Sequence, residues 1–310
     1  MLAVSWRQNK QPAAGSARRQ PGGDALAAYL LILPFFLFFS LFVLYPIVQN
    51  FLASLTNASL GARRFIGLAN YRRLLTDQDF LRSIGNTLVF ALASVAPLML
   101  SGFVAALCVN GSGRALAPVR TFLMFPYIIS TVSVSMIWLY LLDPGSGILN
   151  KMLWALGLPG SDWLFDEHLA LPCLILMNIW KNVGYVMIID LAALQNVPAS
   201  LHEAALVDGA GYLKRLWHIT LPCIRPVSGF LLATLSIECF KTFDQVRIMT
   251  DGGPVGATTT ITHQIYIRAF SEFKLGYASA MSVVLFILVL TVTLINLRIS
   301  GQTGRPERGA

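Results

Sequence analysis

Four stretches of the chain carry no Asp, Glu, Lys or Arg: residues 25–62, 83–113, 121–142 and 275–297. A bilayer core about 30 Å thick is crossed by about 20 apolar residues in a helix, so each stretch holds one helix-length segment. The pattern predicts spans at about 26–48, 85–109, 119–142 and 276–298. Two further apolar segments are interrupted by charge: 169–194 contains Lys181 and Asp190, and 223–246 contains Glu238, Lys241 and Asp244. An ionisable group at membrane depth costs at least a few kcal/mol and therefore faces a protein interior or a wet cavity. These two helices are predicted to form the inner wall of an all-α membrane protein with six transmembrane helices.

Composition agrees. Of 310 residues, 55% are hydrophobic and 12% charged, whereas a soluble domain has about 25% charged residues. That excludes an ordinary water-soluble enzyme, and 19 Phe with a mean hydropathy of +0.65 exclude a disordered chain. Cys108, Cys173, Cys223 and Cys239 lie far apart in or beside apolar runs without metal-ligand spacing, so they read as small buried hydrophobes. The net charge of +8 comes from dispersed basic residues rather than a basic stripe, which argues for retention of cytoplasmic loops and against nucleic acid.

Six spans put both termini on one side. A basic N-terminal tail (Arg7, Lys10, Arg18, Arg19) before an apolar run too long for a signal peptide predicts an uncleaved anchor with cytoplasmic residues 1–25. Residues 26–298 then form the transmembrane domain and 299–310 a second cytoplasmic tail. Lys and Arg number twelve on the tail's side and nine on the other, a small bias.

The loop from Gln195 to Pro226 is the longest on the tail's side. Ser200 followed by Glu203 has the spacing of a capping box, which predicts a helix beginning at Leu201 with Leu201, Ala204 and Ala205 on one face. Gly209 and Gly211 are expected to end it. A second short helix with Leu213, Leu216 and Trp217 on one face follows, and Pro222 is expected to close the loop where the next span begins.

No GxxxxGK[ST] phosphate loop is present, so the chain has no nucleotide-hydrolysing motif of its own. His168, His202, His218 and His263 lack HExxH spacing, no metal site is expected, and the SxxK string at Ser271–Lys274 is short enough to arise by chance. Energy for any transport comes from a partner protein or from an ion gradient. In the second case Lys181, Glu238, Lys241 and Asp244 form the ion or proton relay of a secondary transporter.

The run Glu203, Ala204, Ala205, Asp208, Gly209 and Ala210, followed by Ile219, Leu221, Pro222 and Pro226, resembles the EAA signature of the integral membrane subunits of binding-protein-dependent ABC importers. Segments 125–150, 179–198, 240–259, 265–270 and 276–280 resemble, in order, the third to sixth spans and outer loops of the carbohydrate permeases of the maltose and glycerol-phosphate type. Trp217 departs from the pattern, standing where Phe is common. The resemblance covers roughly residues 85–298. It implies a bacterial inner-membrane, multi-pass permease working by alternating access. Its partners would be a second homologous permease, a dimer of ABC ATPase subunits that bind the ATP and Mg, and an extracytoplasmic solute-binding protein. The loop 195–222 then couples to the ATPase through Glu203, Ala204, Ala205, Asp208, Gly209, Ile219, Leu221 and Pro222. A favoured energy source follows: a structured loop and six spans without detectable inverted halves point to the ATPase.

Other residues keep two readings. Trp180, Lys181, Asn182 and Tyr185 suit a sugar by stacking and amide hydrogen bonds, or simply pack. Glu238, Lys241, Phe243 and Asp244 either belong to the solute pathway or, for the charged three, neutralise one another along one helical stripe. Gly252, Gly253 and Pro254 shape a turn that, by resemblance, faces the solute-binding protein; Arg63, Arg64, Arg72 and Arg73 are either further contacts for it or solvated surface charge.

Overall fold

The computed structural model describes residues 23–59, 63–111, 113 and 116–299, with side chains of 23–27 and 299 left aside. The expected tails, including Arg7, Lys10, Arg18, Arg19, Arg305 and Arg308, and Arg114 lie outside the described residues. Two compact units are distinguished, residues 1–49 and 50–310. Helix α1 (Gly23–Phe39) runs through a π-turn at Ser40–Leu44 into α2 (Tyr45–Ser54). Residues 28–54 are apolar and long enough to cross a membrane. Phe35 stacks on Phe39 and Phe38 on Phe42, as helical i, i+4 neighbours do.

The second unit begins at Asn50. After α3 (Ala69–Leu74), α4 (Gln78–Val109) is a 32-residue helix whose first turn is capped by Asp77, which accepts from the amides of Asp79 and Phe80. The next apolar stretch is α5 (Leu116–Ile128) and α6 (Thr131–Leu141), followed by the short α7 (Ile148–Ala155). A 26-residue helix, α8 (Ala170–Gln195), leads to α9 (Ala199–Val207) and α10 (Tyr212–Arg215). A π-turn at Leu216–Thr220 passes without a break into α11 (Leu221–Phe240). Then come α12 (Asp244–Met249), α13 (Ile261–Tyr266) and α14 (Leu275–Ile299). Among the described residues there is no strand. Five helical segments are long and apolar enough to span, or six if α5 and α6 count as one.

Helix α8 is the centre of the unit: it packs along α4 and against α5 and α11. Phe90, Leu98, Leu174, Met177, Val186 and Leu231 are fully buried there or nearly so. Within lipid, helices associate by close packing rather than by expelling water, so small residues sit at the contacts. A Cβ at Gly184 would collide with the Leu123 carbonyl of α5, and one at Gly102 of α4 would collide with Val186 of α8.

Four expectations need correction. The third span is not one straight helix: α5 and α6 meet at 96°. Pro126 lacks the amide that would bond back one turn, and Ser130 is extended (φ −52°, ψ 136°), so the helix opens at residues 129–130. The capping box is absent, because α9 starts at Ala199, two residues before Leu201, with Pro198 at its cap and no side-chain cap bond. Ser200 is thereby inside the first turn. Pro222 does not end the loop; the helix from Tyr212 continues through it. Pro222 stands in the first turn of α11, where the i→i−5 bond from Leu221 to Leu216 has already widened the helix. Finally, Glu238, Lys241 and Asp244 do not share one helical stripe, since α11 ends at Phe240 and the chain is non-helical over 241–243.

Candidate functional site

The two helix breaks make a cavity. Opening the chain at 129–130 leaves the last carbonyls of α5 without helical partners, and the break at 241–243 turns a polar segment inward. Between them and the middle of α8 lies a space of about 520 Å³. Its wall includes Tyr127 and Thr131 from the α5–α6 corner, Asn178, Lys181, Asn182 and Tyr185 from α8, and Thr234, Glu238, Lys241, Thr242, Phe243, Asp244 and Gln245 from the α11–α12 break.

Lys181 lies about 16 Å along α8 from its start, close to the helix midpoint. Only 7% of it is exposed. Its Nζ donates to the Tyr127 carbonyl at 3.2 Å and stands 5.4 Å from the centroid of the Tyr127 ring, which itself stacks on Tyr185 at 4.9 Å. One turn back, Asn182 donates to Asn178 Oδ1 at 3.0 Å, and Asn178 reaches Cys239 Sγ at 3.8 Å. At the mouth, Lys241 pairs with Glu238 at 3.6 Å with both side chains well exposed. Gln245 donates to Thr242 Oγ1 at 2.8 Å. The result is a wall of aromatic faces, amides and hydroxyls around one buried ammonium, suited to a small hydroxylated solute.

Seven of the eight pathway candidates thus line one cavity. Trp180 does not: it points to another face of α8, with its ring 5.9 Å from Trp138. Sequence reasoning missed Tyr127, Thr131, Asn178, Thr234, Thr242 and Gln245. The first two depend on the α5–α6 corner, for which Pro126 before Ser130 was the available signal. Asn178 was within reach, being three residues before Lys181 on the same face.

The loop residues divide. Helix α9 is closed by a Schellman motif: Gly209 at φ +73° donates to the Leu206 carbonyl at 3.0 Å, and Ala210 to the Ala205 carbonyl at 2.8 Å. Gly211 is extended and serves as the cap of α10. Glu203, Ala204, Asp208 and Gly209 are exposed, as are Leu201, Leu206, Val207 (88%), Leu213 and Trp217. Ile219 and Leu221 instead sit half-buried on the continuous helix, Leu221 packing on the core around Ile224, with Pro222 exposed beside them.

The turn after α12 is built from the inside. Gly252 (φ +82°) is buried, and a Cβ there would run into Thr259 and His263; Gly253 and Pro254 are half-buried, and Val255 is the exposed tip. Thr258 Oγ1 donates to the Gly253 carbonyl at 2.8 Å, and Arg82 of α4 to the Val255 carbonyl at 2.6 Å. Asp251 accepts from Arg247 and lies 3.1 Å from Nε2 of the fully buried His263. Of the four arginines named as possible outer contacts, Arg73 lies 4.8 Å over the Tyr277 ring.

Residues 98–302 match the family described as the inner membrane component of binding-protein-dependent transport systems. The chain is 37% identical over 276 residues to the sn-glycerol-3-phosphate transport system permease protein UgpA of Yersinia pestis bv. Antiqua (strain Antiqua), covering 87% of this chain and 92% of that one. It is 34% identical over 280 residues to the sulfoquinovosyl glycerol transport system permease protein SmoG of Agrobacterium fabrum (strain C58), with 89% and 91% covered. Among solved structures, a chain of a bacterial alginate ABC transporter in complex with an alginate pentasaccharide-bound periplasmic protein superposes with a TM-score of 0.80 at 26% identity, over 89% of this chain and 94% of its own. Family match, relatives and architecture agree: the chain belongs to the inner-membrane permease components of binding-protein-dependent ABC importers.

Proposed function

We propose that this permease admits a sugar, polyol or glycerol-phosphate-like solute through the cavity around Lys181, driven by ATP hydrolysed on separate subunits. The solute class is supported by the relatives named for sn-glycerol 3-phosphate and sulfoquinovosyl glycerol. In this reading both termini and the 195–222 loop lie in the cytoplasm. A second, homologous permease closes the cavity, two ATPase subunits carry the ATP and Mg, and the solute-binding protein meets the opposite side near Gly253, Pro254 and Val255, with Gly252 holding the turn's shape. Because α5 and α6 meet at a corner, the wall of the cavity is made of short pieces that a rigid-body movement of the spans can re-angle.

One observation carries the coupling role. Helix α9 is a short helix fixed at its end by a glycine cap, yet it leaves Leu201, Leu206 and Val207 exposed around Glu203 and Ala204. An apolar face held outward in a loop is a docking surface, here for the ATPase. Because α10 continues unbroken into α11, movement at this end is transmitted along one helix to the Glu238–Asp244 region of the cavity.

The test is a comparison of uptake with ATP hydrolysis in the reconstituted assembly. Gly209→Pro, which removes the capping amide, and Glu203→Lys are expected to leave the subunit in the membrane while uptake per ATP falls at least about tenfold, a loss of roughly 1.4 kcal/mol in coupling. Wild-type uptake in both variants would refute it.

A further inference from the structure

The cavity is lined by four charged side chains, two of each sign, but they are not equivalent. Glu238 and Lys241 pair with each other at the mouth, where water reaches both, and Asp244 is exposed at the start of α12. Lys181 is the buried one. Among the described residues no carboxylate forms an ion pair with it, and its one hydrogen bond goes to a neutral carbonyl. An ammonium has three N–H donors, so two remain for whatever enters the cavity. A buried cation without a counter-charge is costly at membrane depth, and the bond to Tyr127 and the aromatic ring offset only part of that cost.

We propose that Lys181 is the charge-recognising residue of the pathway, and that the solute is a polyol or sugar bearing a phosphate or sulfonate group. This inference rests on the cavity being the solute route. The anionic group takes the two open donors of Lys181, while its hydroxyls meet Asn178, Asn182, Thr131 and Gln245, and the carboxylates of Glu238 and Asp244 accept from hydroxyls nearer the mouth. The charges also orient such a solute: with Lys241 paired to Glu238, the three groups at the mouth sum to one negative charge, which repels the anionic end, while Lys181 at depth attracts it.

Lys181 also satisfies a carbonyl at the end of α5, so the test must separate recognition from support of that corner. The full assembly with its binding protein is reconstituted in vesicles and supplied with sn-glycerol 3-phosphate, sulfoquinovosyl glycerol or maltose. The expected result is uptake of at least one of the two anions. Lys181→Met should lower that uptake at least about tenfold, as loss of a charge-assisted hydrogen bond predicts. Lys181→Arg, which keeps the cation and its donors, should retain most of it. Uptake of maltose alone by the wild type overturns the proposal, as does equal loss in the Met and Arg variants or wild-type anion uptake in Lys181→Met.

A second readout is independent of what the binding protein selects. Alkylation of a Thr234→Cys variant in the assembled complex should be slowed by millimolar sn-glycerol 3-phosphate and not by glycerol, and the slowing should vanish when Lys181→Met is added. Equal rates with both probes overturn the proposal. A Thr234→Trp variant, which fills the cavity, tells the two readings apart. If it abolishes uptake while Lys181→Met imports the anion normally, the route stands and only the charge recognition is lost; if uptake survives the tryptophan, the route lies elsewhere and both fall.

Discussion

At the scale of single residues, the turn after α12 has its own pH dependence. Burial lowers the affinity of His263 for a proton below the ordinary value of 6.5, and the nearby Asp251 carboxylate only partly restores it, with Arg247 opposing. The fold therefore holds a neutral ring. As pH falls below 6.5 the unfolded chain takes up a proton that the folded chain refuses, so stability drops until the pH passes the folded value. Asp251 acts in the same sense: burial alone would raise its carboxyl, but hydrogen bonds from Arg247 and His263 hold it below 3.8. Its contribution is present above the ordinary carboxyl value and lost as pH falls through the lowered one. The melting temperature of the purified subunit should accordingly fall between pH 7.5 and 5. His263→Gln, neutral throughout, should flatten the part of that fall beginning at 6.5. Parallel curves for the two proteins would show that His263 contributes nothing to it. The His263–Asp251 pairing was not legible in the sequence: the residues are twelve apart, and only the buried Gly252 turn brings them together.

At the scale of elements, the close approach of α5 to α8 depends on Gly184. A leucine there must displace the Leu123 carbonyl, which is backbone and cannot rotate away. Overpacking costs about 1–3 kcal/mol even where side chains yield; since the Cβ alone already meets that carbonyl, Gly184→Ala is expected within that range or above it, and Gly184→Leu higher still. Thermal melting in detergent orders the three proteins; a leucine variant as stable as the parent would mean that α5 is not held where it is seen. The corner between α5 and α6 shows why element boundaries were only partly readable. A run without charge from 121 to 142 specifies lipid-compatible surface, and proline is tolerated inside membrane helices when neighbours satisfy the freed groups. Whether the helix kinks slightly or opens by 96° is decided by those neighbours, here by Lys181 reaching the Tyr127 carbonyl from α8. The loop helix was legible for a different reason: Gly209 is a local signal, because positive φ is cheap only for glycine. Its start was not, since Ser200 and Glu203 have the spacing of a capping box, whereas the helix begins at Ala199 behind Pro198 with no side-chain cap bond.

At the scale of the whole molecule, the proposed function places the energy source on separate subunits. The subunit alone in vesicles is expected to accumulate no sn-glycerol 3-phosphate on a proton or sodium gradient, whereas the assembly with ATPase subunits, binding protein and ATP accumulates it; accumulation by the lone subunit would remove the need for the partners proposed above. The sequence by itself determined that the protein is helical and lipid-embedded, roughly where its spans lie, and which loop carries the family signature. These follow from local chemistry: apolar runs of a fixed length, glycine at positive φ, and a short motif contiguous in the chain. It also picked out seven residues that line the cavity, four of them because charge at membrane depth must face something other than lipid, and Asn182 and Tyr185 because amides and aromatic rings suit a sugar. Only the tertiary structure decided that α5–α6 and α11–α12 break, that Trp180 turns away, and that Tyr127, Asn178 and Gln245 join Lys181. Each of those outcomes depends on which neighbour satisfies a freed backbone group or fills a gap, and such neighbours are set by packing between segments that lie far apart along the chain.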